Sequence, residues 1–282
     1  MSSMNLTQQW LRRAALASAA TVLAVLTGCA SVNTTQSGAV GVDRKQYMSS
    51  LVPEQQLNQE ASQQYNDILQ QARAKNLLDR DAAQVSRVRA ISQRLIGQVG
   101  AFRPEATSWP WEVHVLSVDE INAWCMPGGK IAVYTGLLSK IKPTDDELAA
   151  ILGHEIAHAL REHARERVSQ QMATNIGLQV LSIATGSSAA SDLGGQLTDV
   201  MFTLPNSRTH ETEADRMGVE LAARAGFDPR AAVTLWQKMG AASGGSSQPE
   251  FLSTHPSAST RINELQTTSQ QVMPLYEQAK GK

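Results

Sequence analysis

Apolar positions recur at three- and four-residue spacing along two early stretches of the chain, residues 54–76 and 79–99. In the second, Val85, Val88, Ile91, Leu95 and Val99 line one face, so both stretches predict amphipathic helices. The period then shortens to two. Val113 and Val115 mark a strand over 111–118, and a second is predicted over 130–134, with Met126-Pro127-Gly128-Gly129 as the turn ahead of it.

The helical period returns after Pro143. Thr144 followed by Glu147 reads as a capping box, with Thr144 as N-cap and Glu147 at the third helical position. Leu148, Ile151, Leu152, Ala159 and Leu160 then supply a stripe to be buried, and with no breaker in sight the helix is predicted to run to about residue 172. Residues 176–207 mix apolar positions with Gly186, Gly194-Gly195 and Pro205, which predicts an interrupted helical segment and leaves a lid role open. Helices follow over 208–225, ending at Gly226-Phe227-Asp228-Pro229, and on to about 239. A Gly/Ser loop at 244–247 and a polar helix over 256–280 close the chain. The whole predicts a mostly helical α+β domain with a small β-sheet.

The N-terminal pattern differs. Arg12 and Arg13 precede a short uncharged apolar run, 14–26, that is too short for a membrane span and has the shape of a secretory signal. It ends in Leu26-Thr27-Gly28-Cys29, which resembles the bacterial lipobox and implies cleavage and acylation at Cys29. The expected organisation is therefore a signal peptide at 1–28, a lipidated tether at 29–52 and a single domain at 53–282. Ala30 after the cysteine points to an outer-membrane, lipid-anchored, periplasm-facing bacterial lipoprotein. Later in the chain, nothing approaches the roughly 20 apolar residues of a span.

Bulk composition narrows the picture only a little. With 282 residues, 42% hydrophobic, one sizeable core is available, and a net charge of -1 gives nucleic acid no electrostatic footprint. Lipidation at Cys29 leaves Cys125 unpaired, so no disulfide framework is expected, and Cys125 reads as a buried small hydrophobe rather than a nucleophile.

The chemistry centres on His154-Glu155-Ile156-Ala157-His158. At about 100° per residue, two histidines four apart project from one helix face and can hold one Zn²⁺, with Glu155 at the edge as general base. Chance occurrence on a solvated helix is disfavoured by the apolar flanks. His163 lies about 140° and 180° round from the two histidines, which assigns it to the opposite face, in a surface or interhelix hydrogen bond. Downstream, Glu211 and Asp215 share a face while Glu213 points about 200° away. Glu211 is a third-ligand candidate and Asp215 a partner for a ligating imidazole; an ordinary acidic helix face beside Arg208, Arg216 and Arg224 is the alternative.

HEIAH, the run Asn122-Ala123-Trp124-Cys125-Met126-Pro127-Gly128-Gly129-Lys130-Ile131, the Glu211/Asp215 pair, and His255-Pro256 with Arg261 occur in this order. Together they resemble the M48 family of zinc peptidases, in particular its small periplasmic lipoprotein members of the low-osmolarity-induced type, over roughly residues 80 to 270. The resemblance implies a zincin-like fold, one Zn²⁺ held by His154, His158 and Glu211, and Glu155 as base. It also implies extended substrate paired along Asn122, Ala123 and Trp124. His255 would be a fourth ligand that gates the metal or a hydrogen-bond donor to the transition state, with a helix-capping histidine as the plain alternative. Arg261 is a further candidate near the site. The function implied is a zinc endopeptidase of protein quality control, acting on unfolded or misassembled envelope proteins. An outer-membrane assembly machinery or another peptidase is a further partner in that reading. The competing function is a chaperone or assembly factor that keeps the zinc scaffold and rarely cleaves.

Overall fold

A computed structural model describes residues 29–183, 193–242, 250–256 and 259–281. The signal peptide expected at 1–28 and the loop at 244–247 lie outside the described residues. The fold is mostly helical with two small sheets, an α+β arrangement as the patterning predicts.

Strands β1 (Cys29–Val32) and β2 (Gln46–Ser49) form an antiparallel hairpin in which Cys29 lies opposite Ser49. Helices α1 (Glu54–Ala74) and α2 (Ala82–Ile96) follow. The main sheet holds β3 (Glu112–Leu116), β4 (Ala123–Met126) and β5 (Lys130–Tyr134) in the order β3-β5-β4. The central strand β5 is parallel to β3 and antiparallel to β4. Because side chains alternate across a strand, the sheet is buried on both faces. Val115, Ala123, Ile131 and Val133 enter a large core with α2, α3 and α6, while Leu116, Trp124, Met126 and Ala132 meet α1 and α5 in a smaller one.

The remaining helices are α3 (Asp145–Leu160), α4 (His163–Ile183), α5 (Leu193–Phe202), α6 (Arg208–Arg224), α7 (Ala231–Ala242), α8 (Glu250–Thr254) and α9 (Ser259–Lys280). The capping box forms as expected: Thr144 accepts from the Glu147 amide, and the Glu147 carboxylate accepts from the Thr144 amide. Leu148, Ile151 and Leu152 are almost wholly buried, each worth roughly 1.5–3 kcal/mol of apolar transfer.

Helices α3 and α6 share the most extensive interhelix contact. They cross backbone to backbone where Gly153 meets Gly218. A Cβ on Gly153 would lie 2.7 Å from the Gly218 carbonyl oxygen, and one on Gly218 would lie 2.6 Å from the His154 amide nitrogen. This crossing is what brings the distant acidic stretch against the histidine-bearing helix.

Two expectations need correction. The helix begun at Thr144 does not run to 172: it ends at Leu160, Glu162 adopts φ of +52°, and α4 starts afresh at His163. The stretch 29–52, expected as a lipidated tether, is built into the domain. Val40, Val42, Met48 and Val52 are buried, and the Gln46 amide donates to the Arg161 carbonyl. Composition misled here, because a few well-placed apolar and hydrogen-bonding residues suffice to dock a short hairpin.

Candidate metal centre

His154 and His158 stand one turn apart on α3, and the glycine crossing sets α6 against them so that Glu211 and Asp215 face the same space. The two Nε2 atoms are 3.1 Å apart, close to the roughly 3.3 Å edge of a tetrahedron with bonds of about 2.0–2.1 Å. Glu211 Oε1 lies 3.4 Å from His158 Nε2, and its Oε2 lies 3.6 Å from His154 Nε2. His255, just beyond α8, completes the cluster. One ligand atom from each of His154, His158, Glu211 and His255 lies within 4.8 Å of the others, and all four residues are buried.

These residues fit a metal ion. Both carboxylate oxygens of Glu211 are buried without a hydrogen bond; Arg261 Nη1 is 2.7 Å from Oε2 but lacks hydrogen-bond geometry. A buried carboxylate in that condition is costly, and a cation bridging it to the imidazoles relieves the cost. Imidazoles with one carboxylate form a donor set suited to a transition-metal ion.

The surrounding hydrogen bonds set the His154 tautomer. Asp215, with Arg261 Nε and Nη2 each 2.7 Å from its oxygens, stays ionised and only accepts, so His154 Nδ1, 3.0 Å from Oδ1, carries the proton. Burial alone would raise the Asp215 carboxyl, but the Arg261 charge and the hydrogen bonds hold it well below the usual range. His154 Nε2 is thereby left with its lone pair toward Glu211. His255 Nδ1 lies 3.1 Å from the Phe251 carbonyl oxygen and 2.9 Å from Thr254 Oγ1, a hydroxyl that both donates and accepts, so these contacts are compatible with either tautomer. The His255 ring stacks on Phe251 at 4.3 Å, and burial pushes its pKa well down.

Glu155 sits beside the cluster with Oε1 3.4 Å from His255 Nε2 and no hydrogen bond to that oxygen. Burial, then the Glu211 charge, push its carboxyl well above the usual range, against weaker pulls from the Cys125 amide and Arg261. A cleft lined by Asn122, Ala123, Trp124, Glu155, His158 and His255 leads to this point. The edge strand β4 is thus brought alongside the histidine helix. Cys125 is buried, and burial raises its thiol well above the ordinary value, which suits a packing residue.

His163 does not lie on the opposite face from His158, although the interhelix hydrogen bond expected of it forms, and its partner is Glu213, which points away from Glu211 as expected. His163 is buried, with Nδ1 2.8 Å from His158 Nδ1 and Nε2 3.0 Å from Glu213 Oε2. The helical wheel failed because the chain turns at Glu162, so residues on either side do not share one axis. Glu213, His210, Glu166 and Arg44 were missed as members of the surroundings. Arg44 clamps Glu166 and Glu213, and His210 stacks on His163 at 4.3 Å. No Gly or Pro marks the break at 161–162, so the sequence carries no local signal for it.

A helix bearing two histidines with a glutamate between them, crossed by a second helix bearing a carboxylate ligand candidate, beside an edge strand, defines a zincin-like metallopeptidase fold. The chain matches Peptidase family M48 over residues 82–269, two thirds of its length, and belongs to that family. It is 41% identical over 161 residues to the mitochondrial metalloendopeptidase OMA1 of Schizosaccharomyces pombe, covering 55% of this chain and 46% of the relative. It is 37% identical over 213 residues to the mitochondrial metalloendopeptidase OMA1 of Bos taurus, covering 71% and 40%. Likeness to the beta-barrel assembly-enhancing protease of Escherichia coli (strain K12) is 28% over 205 residues, covering 68% and 40%. The matched segment is half or less of each of these relatives. They also correct one expectation. The OMA1 relatives are mitochondrial, so the outer-membrane, lipid-anchored location does not stand.

Proposed function

We infer that the protein is a zinc-dependent endopeptidase of protein quality control, with unfolded or misassembled proteins as substrates. The observation that carries this reading is the convergence of His154, His158, Glu211 and His255 beside Glu155, which lines the cleft. The relatives named as metalloendopeptidases, and the one named for assembly of β-barrels, support it.

In this reading His154, His158 and Glu211 hold one Zn²⁺, with Asp215 and Arg261 fixing His154 from behind. Zinc, when bound, supplies a Lewis acid that polarises the scissile carbonyl and acidifies water. Glu155 accepts the proton of the attacking water at a carboxylate oxygen and delivers it to the leaving amine. Strand β4 pairs with β5 on one side and borders the cleft, where extended peptide would lie along Asn122, Ala123 and Trp124.

Of the roles open to His255, its place in the four-residue cluster favours the gate. With the proton on Nε2 the ring can donate to a developing oxyanion, whereas with a lone pair on Nε2 it can occupy the fourth ligand position. That occupancy also gives weight to a second reading, an assembly factor that binds clients and seldom cleaves.

The test compares wild type with Glu155→Gln on unfolded casein, with zinc measured by elemental analysis. Loss of turnover by at least about 10²-fold at unchanged zinc content is expected; equal turnover would remove the peptidase reading. His255→Ala in the same assay separates the two readings, with raised turnover expected of a gated peptidase.

A further inference from the structure

Behind His158 lies a chain of groups that the peptidase reading does not use. Arg44, between β1 and β2, donates from Nε to Glu213 Oε1 at 2.6 Å and from Nη2 to Oε2 at 3.1 Å. The same guanidinium reaches Glu166 at 2.7 and 2.8 Å. Arg161 Nε donates to Glu213 Oε2 at 3.2 Å, so Glu213 is doubly bound to cations and acts as an acceptor only. His163 Nε2 must therefore carry the proton that spans the 3.0 Å to Glu213. Its Nδ1 then has a lone pair, and across the 2.8 Å to His158 Nδ1 only His158 can donate. With its proton fixed on Nδ1, His158 turns an unprotonated Nε2 toward His154 and Glu211.

We propose that His163 is the positioning residue for the metal ligand His158, and that Arg44 of the N-terminal hairpin holds the relay Glu213–His163–His158 in place. The inference rests on the reading of His158 as a metal ligand. It makes residues 29–52, which precede the family match at 82–269, a working part of the centre. Gln46 adds to the same support by donating to both the Arg161 carbonyl and Glu166 Oε2 at 2.6 and 3.0 Å. His210 holds the His163 ring from its face while its Nε2 lies 3.1 Å from Glu166. One ligand is thus steered by a carboxylate directly, the other by a carboxylate acting through a second imidazole. Both arrangements do the work of a partner behind a metal-bound histidine, which keeps the ring aimed and its tautomer correct.

The experiment uses the full chain as wild type, as His163→Phe and His163→Asn, and as two Arg44 variants. The phenyl ring keeps the bulk and removes both nitrogens, whereas the Asn Oδ1 stands where Nδ1 was and can still accept from His158. Zn²⁺ affinity is measured by competition with a chelator, alongside the melting temperature of each metal-free form. His163→Phe should weaken Zn²⁺ by roughly 10–100-fold, with His163→Asn recovering part of the loss. Arg44→Gln should move affinity in the same direction, with Arg44→Lys closer to wild type. The second readout is ¹⁵N NMR of the histidine rings in the metal-free protein. Wild-type His158 should carry its proton on Nδ1, and His163→Phe should release it to a mixture of tautomers. Wild-type affinity in a folded His163→Phe, or a wild-type His158 protonated on Nε2, would overturn the proposal. Failure of the wild type to bind Zn²⁺ would instead strike the reading beneath it, and the tautomer measurement would still decide the relay.

Discussion

The two histidines of α3 look alike in sequence, four residues apart on one helix, yet their surroundings are built in different ways. His154 is held by Asp215 directly, and Asp215 by the buried Arg261, so its support comes from α6 and α9. His158 is held through His163, Glu213, Arg161 and Arg44, which draws on α4, α6, the α3–α4 turn and the N-terminal hairpin. The first arm is short, dry and made by one ion pair. The second is long and shares its charges among several groups, with Arg44 about one-third exposed at its outer end. A compact arm concentrates its cost in one residue, and a distributed arm spreads it.

Asp215→Ala strikes the compact arm at its centre. It leaves Arg261 buried without its bidentate partner and His154 without an acceptor, and breaking a buried pair costs about 3–5 kcal/mol. Chemical denaturation should show a loss of that order, together with weakened Zn²⁺. A loss near zero would mean that the Arg261–Glu211 proximity alone satisfies the guanidinium.

Gly153→Ala tests what the arms share. A methyl 2.7 Å from the Gly218 carbonyl forces α3 and α6 apart, with an overpacking cost of about 1–3 kcal/mol. Because both arms depend on α6 carboxylates, His154 and His158 should be displaced from Glu211 together, and bound zinc per chain should fall. Stability lost with zinc content intact would show that the crossing can relax without disturbing the site.

Acid probes the distributed arm. Burial alone would raise Glu166 and Glu213, but hydrogen bonds from Arg44 and other partners outweigh it and hold both below the usual carboxylate range. Folded values below the unfolded value of about 4.3 mean that the stabilisation is fully present above that pH and is lost as pH falls through and below it. Glu166→Gln should therefore show a shallower fall in melting temperature between pH 7 and pH 3 than wild type. An unchanged slope would take Glu166 out of the acid response. This is the smallest of the three effects.

Much of this was legible without coordinates. The Thr144/Glu147 capping box, the strand over 130–134 and the shared face of His154 and His158 all follow from spacing along a single element. Glu211 and Asp215 were identifiable as a pair for the same reason. His163 was placed on the wrong face because helix periodicity was carried through Glu162, whose left-handed backbone breaks it. Glu213 was set aside on the same wheel, though its opposite direction from Glu211 is what lets it serve the second histidine. The hairpin at 29–52 was read as tether because composition averages over a stretch, and docking depends on a few residues such as Arg44 and Gln46.

From its order of residues alone, the chain determined which side chains share a helix face and which chemistry they can support, because helical and strand periods are local. Tertiary structure decided which faces meet. The Gly153–Gly218 crossing set the separation between the histidines and Glu211, and the turn at Glu162 folded His163 back onto His158. Distances between elements depend on packing across the whole core, and no single stretch of sequence encodes them.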